Sequence, residues 1–127
     1  MNYSVQKELV LADLKARKDH PTAAEVYKSV KEVCPNISLA TVYRNLQSLC
    51  KNGDIISFYS KGIEHFDGDN SAHVHFICND CDTVFDAFID FEKALKESVL
   101  SAIPDAEIEK VNIITFGTCK KCSKDKN

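Results

Sequence analysis

No stretch of 18 apolar residues occurs anywhere in this 127-residue chain, which argues against a membrane-spanning helix. No secretory leader precedes the first helical pattern, which already carries Lys7 and Glu8, so a cytoplasmic protein is expected. An excess of basic residues is also missing. Sixteen Lys and Arg stand against nineteen Asp and Glu, a net charge of −3 that by itself does not advertise nucleic-acid binding. Internal repeats and low-complexity segments are absent. Proline and glycine are scarce, three and four residues, and they fall where the hydrophobic patterns break. What is present is ordinary globular composition, 44% apolar and 28% charged, which excludes wholesale disorder. The length allows one or two small domains, each marginal on core size alone. Six cysteines in a reducing compartment are expected as thiols or metal ligands rather than disulfides.

Charge is divided unevenly. Residues 1–68 hold nine Lys and Arg against eight Asp and Glu, whereas residues 69–127 hold seven against eleven. If either half meets an acidic polymer, the first is the better candidate. Its patterns predict three helices. In the first, Ser4 to Arg17, Val5, Leu9, Ala12 and Ala16 recur at helical spacing, broadened by Val10, Leu11 and Leu14. Pro21 then sets His20 in an extended or turn conformation. Thr22 with Glu25 makes a capping box for the second helix, reaching Cys34, with Ala23, Val26, Tyr27, Val30 and Val33 as its buried face. Ser38 caps a third helix ending near Asn52 and Gly53, with Leu39, Val42, Leu46 and Leu49 as its stripe. Ile55–Tyr59 and Ile63–Asp67 around Ser60-Lys61-Gly62 read as a β-hairpin. Three short helices and a hairpin are the order of a winged helix-turn-helix.

The second half has strands at His73–Cys78 and Thr83–Phe88, an amphipathic helix over Asp90–Ile103 and a longer strand at Ile108–Phe116. Phe91, Ala94, Leu95, Val99 and Ala102 are expected to face inward, and Ser123–Asn127 to form a solvated tail. About 59 residues bury little, so a staple or a partner is needed.

Three constellations carry chemistry. Cys78-x-x-Cys81 and Cys119-x-x-Cys122 have the spacing of two zinc knuckles that complete a closed tetrahedral site. Redox pairs or free thiols are the other reading. His73-Val74-His75 places two imidazoles on one strand face, with Asp67 upstream and Asp86 on the next strand, a set suited to Fe2+, Mn2+ or Zn2+. Taken alone, such histidines are as readily solvated or in the core. His65 and Glu64 read as hairpin surface, His65 kept as a spare ligand, and Cys34 and Cys50 as packing residues. The third helix presents Ser38, Thr41, Tyr43 and Arg44 near its N-terminus, residue types that contact DNA in a recognition helix, though helix-turn-helix units also serve as interaction modules. A non-haem metalloenzyme built on two His and a carboxylate is the alternative from another class.

The motifs H-P-T-A at 20–23, S-L-A-T-V-Y-R-N-L at 38–46, H-x-H-x-x-C-x-x-C at 73–81 and C-x-x-C at 119–122 occur together and in this order. On these residues the chain resembles the ferric uptake regulator family over nearly its full length. The resemblance implies an α+β protein, with an N-terminal winged helix over residues 1–68 and a C-terminal α/β dimerisation domain over residues 69–127. It implies a cytoplasmic homodimeric repressor of double-stranded operator DNA, not an enzyme, with no membrane and no organic cofactor. Structural Zn2+ would sit on Cys78, Cys81, Cys119 and Cys122. Regulatory Fe2+ or Mn2+ would sit between the domains on His20, Asp67, His73, His75 and Asp86. DNA contacts would come from Tyr43 and Arg44, with Ser38 and Thr41 near the backbone. Aspartate rather than glutamate at 86 looks like the peroxide-responsive branch, in which peroxide oxidises a ligand histidine, by position His20 or His73; plain iron or other metal sensing is the alternative. The chain differs from the usual pattern in two respects. It starts near the helix that other members precede with a further one, and Gln6-Lys7 stands where glutamine-arginine is usual.

Overall fold

A computed structural model describes residues 3–71 and 73–125. The chain separates into two compact units, Met1–Asn70 and Ser71–Asn127, a division two residues later than the one read from the sequence. No helix among the described residues is long and apolar enough to cross a membrane.

The first unit is three helices and a hairpin: α1 (Tyr3–Lys15), α2 (Ala23–Lys31), α3 (Leu39–Lys51), β1 (Ile56–Ser60) and β2 (Ile63–Asp67). The capping box of α2 is formed in full: Thr22 Oγ1 accepts the Glu25 N–H, and Glu25 Oε1 accepts the Thr22 N–H at 3.1 Å. Ser38 Oγ accepts the Thr41 N–H at 3.1 Å and so starts α3. Lys61 and Gly62 have φ of +53° and +79°, the pair of positive angles that a two-residue hairpin turn requires between Ser60 and Ile63. The core gathers Val10, Leu14, Val26, Val30, Val42, Leu46, Leu49, Ile55 and Phe66 with Cys34 and Ile37, and Cys50 packs against it.

Three expected faces are corrected. In α1 the buried pair is Val10 and Leu14, while Val5, Ala12 and Ala16 are exposed. The four-residue spacing from 10 to 14 selects a different face from the stripe starting at Val5. Val33, beyond the end of α2, is 67% exposed, and Leu39, in the first turn of α3, is 46% exposed; Asn45 takes the buried place in the α3 stripe. A residue at a helix end projects past the neighbouring helices and has nothing to pack on.

The second unit contains β3 (Val74–Cys78), β4 (Val84–Ala87), α4 (Glu92–Ala102), β5 (Ile114–Gly117) and α5 (Lys120–Asp125). Its sheet has the order β4-β3-β5, with β3 antiparallel to β4 and parallel to β5. The strand expected from Ile108 starts only at Ile114, which pairs with His75 near the start of β3. The His75 N–H still donates to the Ile113 carbonyl at 3.1 Å, and the paired register with β3 begins at Ile114. The expected tail is helical as far as Asp125, its first turn closed by the Ser123 N–H on the Cys119 carbonyl at 2.8 Å; Lys126 and Asn127 lie outside the described residues. No residue of α4 is buried: Leu95 and Val99 are half-buried, and Ala94 and Ala102, expected inside, are exposed. Phe85, Phe88, Ile89, Leu100, Ile103 and Phe116 are exposed as well.

Candidate metal centres and the third helix

Parallel pairing of β3 with β5 brings the C-terminal ends of both strands to one edge of the sheet. Cys78 ends β3 opposite Gly117, and Cys119 follows two residues later. Each end then turns back. After Cys78 the chain turns through Asp82, at φ +62°, with the Asp82 N–H on the Cys78 carbonyl at 2.9 Å and the Cys78 N–H on Thr83 at 3.0 Å. After Cys119 the chain enters α5, which carries Cys122. The four Sγ atoms all lie within 4.8 Å of one another, with Cys81 and Cys119 3.8 Å apart. A tetrahedral ion with Zn–S bonds of ~2.3 Å needs sulfur–sulfur edges of roughly 3.8 Å. All four are free thiols rather than disulfides.

The site already favours negative sulfur in part. The Cys119 N–H points at Cys78 Sγ from 3.3 Å, and with the amides of Cys81 and Asp80 it holds the Cys78 thiol down at about 6. The Thr83 hydroxyl, 3.2 Å from Cys81 Sγ, lowers that thiol as well. Burial and the neighbouring cysteines push the Cys122 thiol up. Four sulfurs this close repel one another as thiolates, and a divalent cation removes that conflict. The donor set fits zinc with every tetrahedral position filled.

In the same unit, β3 and β4 pair in a register that sets His75 opposite Asp86. His73 Nδ1 lies 2.7 Å from the Ser71 carbonyl, which can only accept, so Nδ1 carries the proton and Nε2 presents its lone pair. His73 Nε2 is 3.1 Å from His75 Nε2, and Asp86 Oδ1 lies 3.6 Å and 3.5 Å from the two. Both imidazoles are buried, and the His73 ring packs on Phe88 at 5.0 Å. An ion with bonds of ~2.1 Å to N and O requires ligand–ligand edges of roughly 3.0–3.4 Å. The His73–His75 edge lies in that range and the two edges to Asp86 are 0.1–0.2 Å longer, so the three atoms could form one face of a coordination shell.

The first unit contributes a separate pair. His20 Nε2 lies 3.3 Å from Asp67 Oδ2, and each residue is 6% exposed. The Asp69 N–H donates to Asp67 Oδ1 at 2.9 Å and turns the other oxygen toward the imidazole. Gly68 follows at a close crossing, where a Cβ would stand 2.8 Å from the Leu14 carbonyl oxygen, so Asp67 is anchored against α1. His20, expected extended or in a turn, is not extended: its φ is +51°, in the left-handed region that turns use. His65, read from the sequence as hairpin surface, is half-buried, with Nδ1 2.8 Å from the His20 carbonyl. The period-two alternation of β2 was the available signal, since residues 65 and 67 share a face.

On α3 the N-terminal polar residues interlock. The Ser38 hydroxyl lies 2.9 Å from Thr41 Oγ1, which also accepts from Arg44 Nη2 at 3.3 Å. Tyr43 and Arg44 are exposed. Gln47 Nε2 donates to Glu64 Oε1 at 2.9 Å and ties the helix to the hairpin; Lys7 Nζ donates to Ser48 Oγ at 2.8 Å and ties it to α1.

The model of the ferric uptake regulator family matches residues 1–115. The peroxide operon regulator of Bacillus subtilis is 29% identical over 123 residues, 96% of this chain and 84% of that protein. The crystal structure of the Campylobacter jejuni peroxide stress regulator superposes with a TM-score of 0.75 at 28% identity, covering 94% of this chain and 90% of that one. A zinc uptake regulator complexed with zinc and DNA has a TM-score of 0.70 at 19% identity, covering 99% and 86%, a likeness of fold. The matched proteins are regulators, which removes the metalloenzyme alternative. A family match running through both units, over a winged helix and a sheet that gathers metal donors, leads to one assignment: the chain belongs to the ferric uptake regulator family of metal-responsive repressors.

Proposed function

We propose that this protein is a peroxide-sensing repressor that binds operator DNA as a homodimer. Structural Zn2+ is held by Cys78, Cys81, Cys119 and Cys122, and one regulatory Fe2+ or Mn2+ by His20, Asp67, His73, His75 and Asp86. The observation that carries the reading is the convergence of His73 Nε2, His75 Nε2 and Asp86 Oδ1 within 3.6 Å at one end of the second unit's sheet. Nitrogen with short carboxylates, and no thiolate, is a donor set for Fe2+ or Mn2+.

His20 and Asp67 belong to the first unit. A cation shared by all five residues would link DNA-binding and dimerisation units, favouring the arrangement it binds best by about 1.4 kcal/mol for each tenfold of differential affinity. Tyr43 and Arg44, both exposed on α3, would contact DNA, with Ser38 and Thr41 near its backbone. The apolar side chains exposed on the second unit, Phe85, Phe88, Ile89, Leu100, Ile103 and Phe116, support a dimer, since together they are what an isolated unit would have to hide. Fe2+ bound there would promote cleavage of the peroxide O–O bond; one oxygen would end on the ring carbon of His20 or His73 and the other would leave as water, after which the set would no longer hold the cation. The peroxide regulators among the matched proteins support this choice over plain metal sensing.

A gel shift with the promoter upstream of the protein's own gene tests the reading. Retention is expected with Mn2+, and with Fe2+ until peroxide is added. Mass spectrometry of the iron-loaded protein after mild peroxide should find one added oxygen on the His20 or His73 peptide. Unmodified peptides, with DNA binding still governed by metal, would make it a plain metal sensor.

A further inference from the structure

We propose that His65 is a positioning residue that holds the metal ligand His20 in its binding conformation, an inference that rests on the assignment of His20 as a ligand. His20 has a Cβ, precedes a proline and still adopts φ +51°, in the left-handed region. That conformation is disfavoured for any L side chain, and the following proline pulls it toward an extended one. It persists only where the surroundings over-determine it.

Those surroundings come from β2. A carbonyl oxygen only accepts, so the 2.8 Å contact fixes His65 as the Nδ1–H tautomer, donating to the His20 carbonyl. The next residue repeats the grip: the Phe66 N–H donates to the Pro21 carbonyl at 2.8 Å. The His65 ring stacks on Phe58 with centroids 5.6 Å apart and planes 13° apart, and Phe58 meets the edge of the His20 ring at 5.7 Å and 67°. His65 therefore holds the His20 backbone directly and its ring through Phe58. The result aims His20 Nε2 at Asp67 Oδ2. One strand face supplies both the ligand Asp67 and the holder of the ligand His20. Without the His65 donor, the His20 carbonyl loses this hydrogen bond, and rotation toward an extended φ carries the imidazole away from Asp67.

The experiment measures Mn2+ affinity of the full-length, zinc-loaded protein by titration against free-Mn2+ electron paramagnetic resonance, with zinc content determined in parallel. His65→Phe keeps a ring against Phe58 and removes the donor; Mn2+ binding should weaken about tenfold or more, with zinc content unchanged. His65→Asn puts an amide N–H in the place of Nδ1 and should recover most of the affinity. His20→Ala is the control for the ligand assignment. If His20→Ala loses Mn2+ while His65→Phe stays within about twofold of wild type, the positioning role is overturned and the ligand assignment stands. If His20→Ala keeps wild-type affinity, the ligand assignment fails and the positioning role with it. Should His65→Phe not fold, His65→Asn against His65→Gln decides: Asn tighter than Gln supports the role, and equal affinities overturn it. Long-range proton–nitrogen NMR of the Mn2+-free protein should show the Nδ1–H tautomer at His65; the Nε2–H tautomer would overturn the hydrogen bond.

Discussion

Removing the zinc should unfold the second unit and leave the first intact. The two units differ sharply in what they bury. The first has twelve buried apolar residues among those described. In the second, Ile77, Cys78 and Cys119 are the buried apolar residues among those described, and α4 buries none. Burying one isoleucine contributes roughly 1.5–3 kcal/mol, far below the conformational entropy of ordering a sheet and two helices, about 1–2 kcal/mol per residue. A structural zinc site contributes about 10–16 kcal/mol of binding free energy as folding free energy. A zinc ion on the four cysteines would therefore be the dominant stabiliser of that half. Loss of one thiolate by Cys119→Ser should have nearly the effect of chelation, because Cys119 joins the end of β5 to the end of β3. The assay is amide hydrogen exchange under reducing conditions, before and after a strong chelator. Amides of β3, Phe76 and Ile77 among them, should lose protection, while those of α1 and α3 keep it. Protected β3 amides in verified zinc-free protein would refute the reasoning.

Three further outcomes follow from the first unit. Arg44→Ala should weaken operator binding by about 1–3 kcal/mol in a gel shift without changing zinc or manganese content; unchanged binding would remove α3 from the interface. Gly68→Ala drives a Cβ into the α1 backbone and should destabilise the unit by about 1–3 kcal/mol in thermal melts, weakening Mn2+ binding through Asp67. The Glu64 carboxylate, and secondarily burial and Tyr43, hold the Tyr59 hydroxyl above its ordinary range. Raised in the folded state, that group favours folding below the unfolded value of ~10, a contribution lost as pH rises through the folded one. Glu64→Gln should lower the Tyr59 transition in ring-resolved NMR titration; an unmoved transition would discard the pairing.

Much of the fold is set by local rules. The Thr22–Glu25 capping box, the Ser38 cap and the Lys61-Gly62 turn each act within four residues, and each forms as the sequence implies. Faces were less legible. The repeat starting at Val5 was as regular as the pair Val10 and Leu14, and only the packing of α2 and α3 selects between them. Leu39 fits the α3 stripe by spacing and is exposed, while Asn45 is buried in that helix. The strand predicted from Ile108 is shorter because β-propensity makes a strand only where a neighbour runs alongside, and the register with β3 begins at Ile114.

The metal donors divide in the same way. The two C-x-x-C pairs and H-x-H are sequence-determined, since a tight turn or a strand face fixes their short-range geometry. That Cys78 and Cys119 meet, 41 residues apart, is decided by the parallel pairing of β3 with β5, and that Asp86 faces His75 is decided by the register of β3 with β4. Least legible of all was the conformation of His20. The proline after it favours an extended backbone, and the left-handed one is imposed by β2, through two hydrogen bonds from residues 65 and 66 that chain-local preference cannot anticipate.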